Sequence, residues 1–264
     1  MHCIYFNEIS NQWVEEKIFC INPYGYDRVQ RIEELFRLRV LDGPRYFTPE
    51  EFTEFLKFKG LARSVPNFLR KYVGNHEVEE VTQSLFTNRL TELTFADIQN
   101  EATRNETLRV INYLASRLQR LKFVGLGVAS ACLALCYPEF CGTADYIVPA
   151  LLHIEHDHLN NINPLLTNPA TAHTLHESLL MPVEHSLTAS EARKIAFDNY
   201  GEYLRELWNI KQAFELIPKV RNIEEAIWSF GICHVHKETE NTPLTFSGEP
   251  DPPRGGLFSK RCPN

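Results

Sequence analysis

Apolar residues recur at steps of three and four over much of the chain, the period of helices that bury one face. From Asp27 onward Val29, Ile32, Leu35, Phe36 and Val40 keep this spacing, with Asp27 placed to cap the helix and Asp42-Gly43-Pro44 to end it. Thr48-Pro49-Glu50-Glu51 predicts a second start, because Thr can cap, Pro is tolerated in the first turn and Glu51 completes a capping box. Phe52, Phe55, Leu56 and Phe58 then form an apolar face that runs to Lys59-Gly60. Further helices are predicted over 66–73, 77–90 and 103–121, the last with Leu108, Ile111, Leu114, Ala115 and Leu118 on one side. A small-residue helix from Ala129 to Leu135 stops before Pro138, and an apolar segment follows from Ile147 to Ile154.

The remaining stretches break the period. Residues 1–26 are irregular and aromatic and read as an extension packed on the core. Residues 156–187 are rich in proline and asparagine and read as a long loop insertion. A long amphipathic helix opens at Thr188 or Ser190 and passes Tyr200, Leu204, Leu207 and Trp208 to Ile217. A short one carries Ile223, Ala226, Ile227 and Trp228. Pro- and Gly-rich residues 237–264 read as a disordered tail. With no alternation of strand and helix and no fixed repeat, the pattern predicts an all-α protein with one helical domain over 27–236.

Charge narrows the functional classes. Asp plus Glu outnumber Lys plus Arg by 34 to 27, a net charge of −7 over 264 residues, which opposes a general DNA-coating role. The acidity is uneven: residues 27–122 hold 16 Lys plus Arg against 14 acids, whereas 123–192 hold no Lys or Arg against 7 acids. The longest apolar stretch, Phe123 to Tyr137, is too short for a bilayer, and the N-terminus lacks a basic region followed by an apolar one. The expectation is a soluble intracellular protein, cytoplasmic or, in a eukaryote, nuclear, with no membrane partner. Its 7 cysteines contain no Cys-x-x-Cys pair, so Cys132 and Cys136 are expected to act as small buried hydrophobes.

The most informative segment is Val124-Gly125-Leu126-Gly127-Val128-Ala129-Ser130-Ala131. Gly125 and Gly127 can take positive φ or allow a close backbone approach, with Leu126 plugging down between two helices. A helix starting there presents N–H groups suited to a phosphate. After one helix comes Thr143-Ala144-Asp145-Tyr146-Ile147. This order resembles the helix-hairpin-helix DNA glycosylase superfamily, the group that includes endonuclease III, and in particular its divergent bacterial members of unassigned function. The resemblance covers roughly residues 45–155, and Asn222 to Gly231 looks like a closing helix of those bacterial relatives.

The resemblance implies a helical glycosylase-like fold, double-stranded DNA as partner and excision of a damaged or modified base. It assigns Asp145 to catalysis and Gly125, Leu126 and Gly127 to backbone phosphate contact, with Arg117, Arg120 and Lys122 as nearby cations. Bifunctional members carry a lysine two places after the second glycine, where this chain has Ala129. The expected enzyme is therefore a monofunctional N-glycosylase without a lyase step and without a cofactor. Asp145 is equally placed to cap the helix after it. The lack of basic residues over 123–192 motivates the alternative of an inactive structural or protein-interaction module. DNA affinity depends on whether Arg63, Arg70, Lys71, Arg117, Arg120 and Lys122 converge on one face.

Six histidines, His153, His156, His158, His173, His176 and His185, cluster with acids in 153–185, and Cys233-His234-Val235-His236 forms a smaller group. Imidazole with carboxylate is a first-row metal set, but the spacing matches no zinc signature, so they read as polar surface groups and no metal is assigned. No nucleophile elbow or phosphate loop is present.

Overall fold

The computed structural model describes residues 26–41, 44–149, 183–213, 219–224, 228, 235–236 and 239–246. Most of these residues are helical. They fall into two compact units that divide between Thr143 and Ala144.

Among its described residues the first unit contains six α-helices: α1 Tyr26–Leu41, α2 Pro49–Phe58, α3 Val65–Tyr72, α4 Glu77–Phe86, α5 Glu101–Leu118 and α6 Leu126–Cys136. Helix α1 begins one residue before Asp27, which therefore lies inside the helix. At α2 the predicted capping box forms in full: Thr48 Oγ1 accepts the Glu51 N–H at 3.3 Å, and Glu51 Oε2 accepts the Thr48 N–H at 3.0 Å. Helix α4 stops at Phe86, short of the predicted end, and the chain continues as a 3-10 turn over Arg89–Glu92. Helix α5 starts two residues earlier than predicted because Asn100 supplies the cap, its Oδ1 accepting the Ala102 N–H at 2.9 Å.

The apolar faces of α1 to α4 meet in an aromatic core. Phe36 lies 4.7 Å from Phe47 and 5.5 Å from Phe55, and Phe52 stacks on Phe68 at 5.7 Å. All are buried, as is Tyr72, whose ring lies 4.6 Å from Phe68. Each buried Phe contributes about 1.5–3 kcal/mol by leaving water. Gly74, with φ +86, turns the chain just after α3, a conformation a Cβ would strain. Helix α6 is buried along most of its length, including Cys132 and Cys136, and Cys141 is buried just beyond it. Burial pushes the Cys136 and Cys141 thiols well above the ordinary range, which fits inert core residues.

The second unit holds β1 Val183–Thr188, α7 Ala189–Asp198, α8 Tyr200–Ala213, β2 Val235–His236 and β3 Pro243–Phe246. The strands form a three-stranded antiparallel sheet in the order β1-β3-β2, with Val183 opposite Phe246 and Val235 also opposite Phe246. This sheet departs from the all-helical reading at two points. Strand β1 occupies the end of the predicted loop insertion, and β3 lies inside the predicted disordered tail. Pro243 stands at the first residue of β3, where a missing N–H is tolerated, and Leu244 is fully buried. Four residues are too few for their alternation to stand out from the Pro- and Gly-rich sequence around them.

The predicted long helix after Thr188 is broken in two. Thr188 caps α7 with a second complete box, accepting the Glu191 N–H at 3.1 Å while Glu191 Oε2 accepts the Thr188 N–H at 2.8 Å. Asn199, with φ −129 and ψ 45, then leaves the helical region and separates α7 from α8. Ala189, Ala192, Ala196, Tyr200, Leu204, Leu207 and Trp208 are buried on both sides of the break, so the apolar face carries across it. Residues 220–224 are also helical and bury Val220 and Ile223. The N-terminal extension 1–25, most of the loop insertion and the tail beyond 246 lie outside the described residues.

Candidate nucleic-acid interface and the Asp145 segment

Helices α5 and α6 are joined by residues 119–125. The turn is built by backbone bonds that close in short steps: Leu121 N–H to Leu118 O at 3.0 Å and Val124 N–H to Leu121 O at 3.1 Å. The left-handed residue is Phe123, with φ 70, and neither glycine of the motif takes positive φ. Gly125 is extended, with φ −82 and ψ 178, and serves as the N-cap of α6, while Gly127 lies in its first turn. Of the two uses open to Gly125 and Gly127, positive φ is not taken: the left-handed residue is Phe123, two positions before Gly125. A bulky side chain at φ above zero is an outlier held only by its surroundings.

Gly125 is exposed, a Cβ built on it meets nothing within 4 Å, and no side chain caps α6. The first intrahelical bonds are Val128 N–H and Ala129 N–H to Gly125 O, at 3.1 and 2.9 Å. The amides of Leu126 and Gly127 precede them and are the orphan donors of the helix start. Leu126 is half-buried.

The nearby cations differ in what they do. Arg117 is partly buried and committed to structure: its guanidinium donates to the Glu80 carbonyl at 3.2 Å and to the Tyr113 hydroxyl at 3.3 Å, and its Nε is buried without a partner. Arg120 and Lys122 are exposed, with the Lys122 ammonium 5.0 Å from the centre of the Phe123 ring.

Tyr72, at the end of α3, was not legible as part of this region. Its hydroxyl accepts the backbone N–H of Lys122 at 2.8 Å and the ammonium of Lys71 at 2.8 Å. Lys71 also lies 4.5 Å from the centre of the Tyr72 ring. Its hydrogen bond to Tyr72 raises the Lys71 pKa, so it stays a cation. One oxygen therefore holds the Lys71 ammonium beside the backbone of Lys122.

Asp145 belongs to the second unit. Its Oδ1 accepts the Val148 N–H at 3.1 Å, the geometry of an N-cap on the helical residues 147–149. The side chain is half-buried and lies within electrostatic reach of Tyr203 on α8. Tyr203 is buried, and its hydroxyl is held well above the ordinary tyrosine range, first by burial and then by the negative charges of Glu224 and Asp145. Tyr203 and the buried Glu224 of segment 220–224 were not singled out by the sequence; both Glu224 and Asp145 act electrostatically on Tyr203.

His153, His156, His158, His173, His176, Cys233 and His234 lie outside the described residues, and His185 and His236 are described only as strand positions. Among the described residues no group of His, Cys, Asp and Glu converges on a metal-sized site. No described helix is long and apolar enough to cross a membrane. Comparison with known proteins finds no matching family model, characterised relative or solved structure.

Proposed function

We propose that this chain binds the phosphodiester backbone of double-stranded DNA through the start of α6 and acts as a monofunctional base-excision enzyme with Asp145 as its catalytic carboxylate. The observation that carries the reading is the bare helix start. Gly125 leaves room for a close approach, the Leu126 and Gly127 amides have no intrahelical acceptor, and the exposed Arg120 and Lys122 lie in the turn that leads into them. Arg117 has a supporting role through its hold on α4. In the proposed reaction water adds to the anomeric carbon as the base leaves with the electron pair of the broken bond; the Asp145 carboxylate stabilises the developing positive sugar and takes the proton of that water, the departing base is protonated by solvent, and Asp145 returns its proton to solvent.

Asp145→Asn is the discriminating variant, because an amide oxygen can still cap residues 147–149 while the negative charge is gone. On duplexes carrying uracil, alkylated, oxidised or mismatched bases, the variant is expected to lose at least about 100-fold in excision rate with little change in melting temperature. Equal turnover by both proteins removes Asp145 from the chemistry. Absence of turnover on every lesion together with retained DNA binding favours the second reading, an inactive binding or interaction module. That reading is motivated by the absence of Lys and Arg from residues 123–192.

A further inference from the structure

We infer that Lys71, on α3, is part of the DNA-contacting surface and takes a backbone phosphate next to the one held at α6, with the Tyr72 hydroxyl fixing its position. This inference rests on the duplex-binding reading and adds to it a residue outside the α5–α6 segment, anchored by Tyr72, which lies 50 positions before Lys122. The Lys71 ammonium and the Lys122 backbone nitrogen both donate to Tyr72 Oη, each at 2.8 Å, so the ammonium is held against the turn.

Lys71 and Lys122 are both exposed, whereas the Tyr72 ring is fully buried against Phe68, so the shared oxygen is anchored to the core and the charges face water. Beside them Val73 is 56% exposed and Gly74 leaves open space where a Cβ would stand. At Gly74 the backbone just after α3 is therefore open to close approach. Holding a lysine by its own ammonium to a neutral acceptor lowers the rotamer entropy lost when a phosphate arrives.

The test is the salt dependence of binding to a labelled duplex for the full chain and for Lys71→Ala, Lys71→Arg, Tyr72→Phe and, as control, Arg109→Ala. Arg109 is an exposed cation on α5, two and a half turns from the end of that helix. Lys71→Ala is expected to lower the magnitude of the slope of log K against log salt by about 0.9, the value for one lost phosphate contact. Lys71→Arg restores the slope, and Arg109→Ala leaves it at the wild-type value. Tyr72→Phe keeps the buried ring and is expected to weaken binding several-fold at low salt, with a folded helical spectrum as its control. A wild-type slope in Lys71→Ala, with wild type binding in a salt-dependent way, overturns the inference and leaves the duplex-binding reading standing. No salt-dependent binding by wild type overturns both.

Discussion

Helix α7 and helix α6 begin in opposite ways. At α7 a threonine and a glutamate close the start reciprocally, Thr188 accepting from Glu191 and Glu191 accepting from Thr188, and α2 is closed in the same manner by Thr48 and Glu51. At α6 the cap is Gly125, and no side chain reaches the first-turn amides. A side-chain cap stabilises a helix by about 1 kcal/mol, so an uncapped start on an otherwise buried helix leaves stability unused. The same amides gain value if an external anion supplies the missing acceptor. The difference separates helix starts that serve the fold from one suited to serve a ligand.

The comparison can be broken most strongly at Gly125. Its extended backbone already suits a capping residue, and a Cβ there meets nothing. Gly125→Asp is therefore expected to raise the melting temperature, by a stabilisation of a few tenths to about 1 kcal/mol, while lowering duplex affinity by more than about tenfold through charge repulsion. Calorimetric melting and a binding isotherm on one preparation check both signs. A variant that binds as wild type does would show that the α6 start faces no phosphate.

The closed starts give the reverse pattern. Thr188→Ala and Thr48→Ala are each expected to cost about 1 kcal/mol in chemical denaturation and to leave duplex affinity unchanged. A loss of affinity in either would merge the two classes of helix start.

The smallest effect concerns pH. The Glu191 carboxylate is held below the ordinary glutamate range, first by the Thr188 backbone N–H and then by its hydroxyl. A depressed carboxyl lends stability that is full above its unfolded pKa and is lost as pH falls through its folded one. The melting-temperature gap between wild type and Glu191→Gln should therefore narrow between about pH 6 and pH 3. A gap that stays constant over that range would show that the box works without the charge.

Local chemistry made part of this fold readable. The Thr48 box, the helical period of α1 and α2 and the start of α7 are written in residues within a few positions of one another, and each formed as expected. The break at Asn199 was hidden because the apolar face continues from Ala196 to Tyr200 and Leu204, so the period alone shows one helix. Strand β3 was hidden because its longer partner, β1, stands far away in the chain, its nearer partner, β2, is two residues long, and its own alternation covers only four residues.

Within the candidate site the motif Gly125-Leu126-Gly127 located the turn, but the strain sits on Phe123, since the turn closes by bonds to Leu118 and Leu121 before the glycines are reached. The link from Lys71 through Tyr72 to Lys122 joins residues that no local pattern connects. Asp145 was legible as a residue able to cap, and it does accept the Val148 N–H; its electrostatic reach to Tyr203 depends on where α8 packs in the second unit.

The central claim is a contact between DNA phosphate and two backbone amides, and it is tested most directly by following the amide resonances of isotopically labelled full-length protein during titration with a short duplex at low salt. The Leu126 and Gly127 amides are expected to shift first and furthest, with downfield proton shifts that reverse on adding salt, while the amides at the start of α7 stay in place. Binding that moves other regions and leaves Leu126 and Gly127 unshifted, or no shift anywhere at low salt, would contradict it.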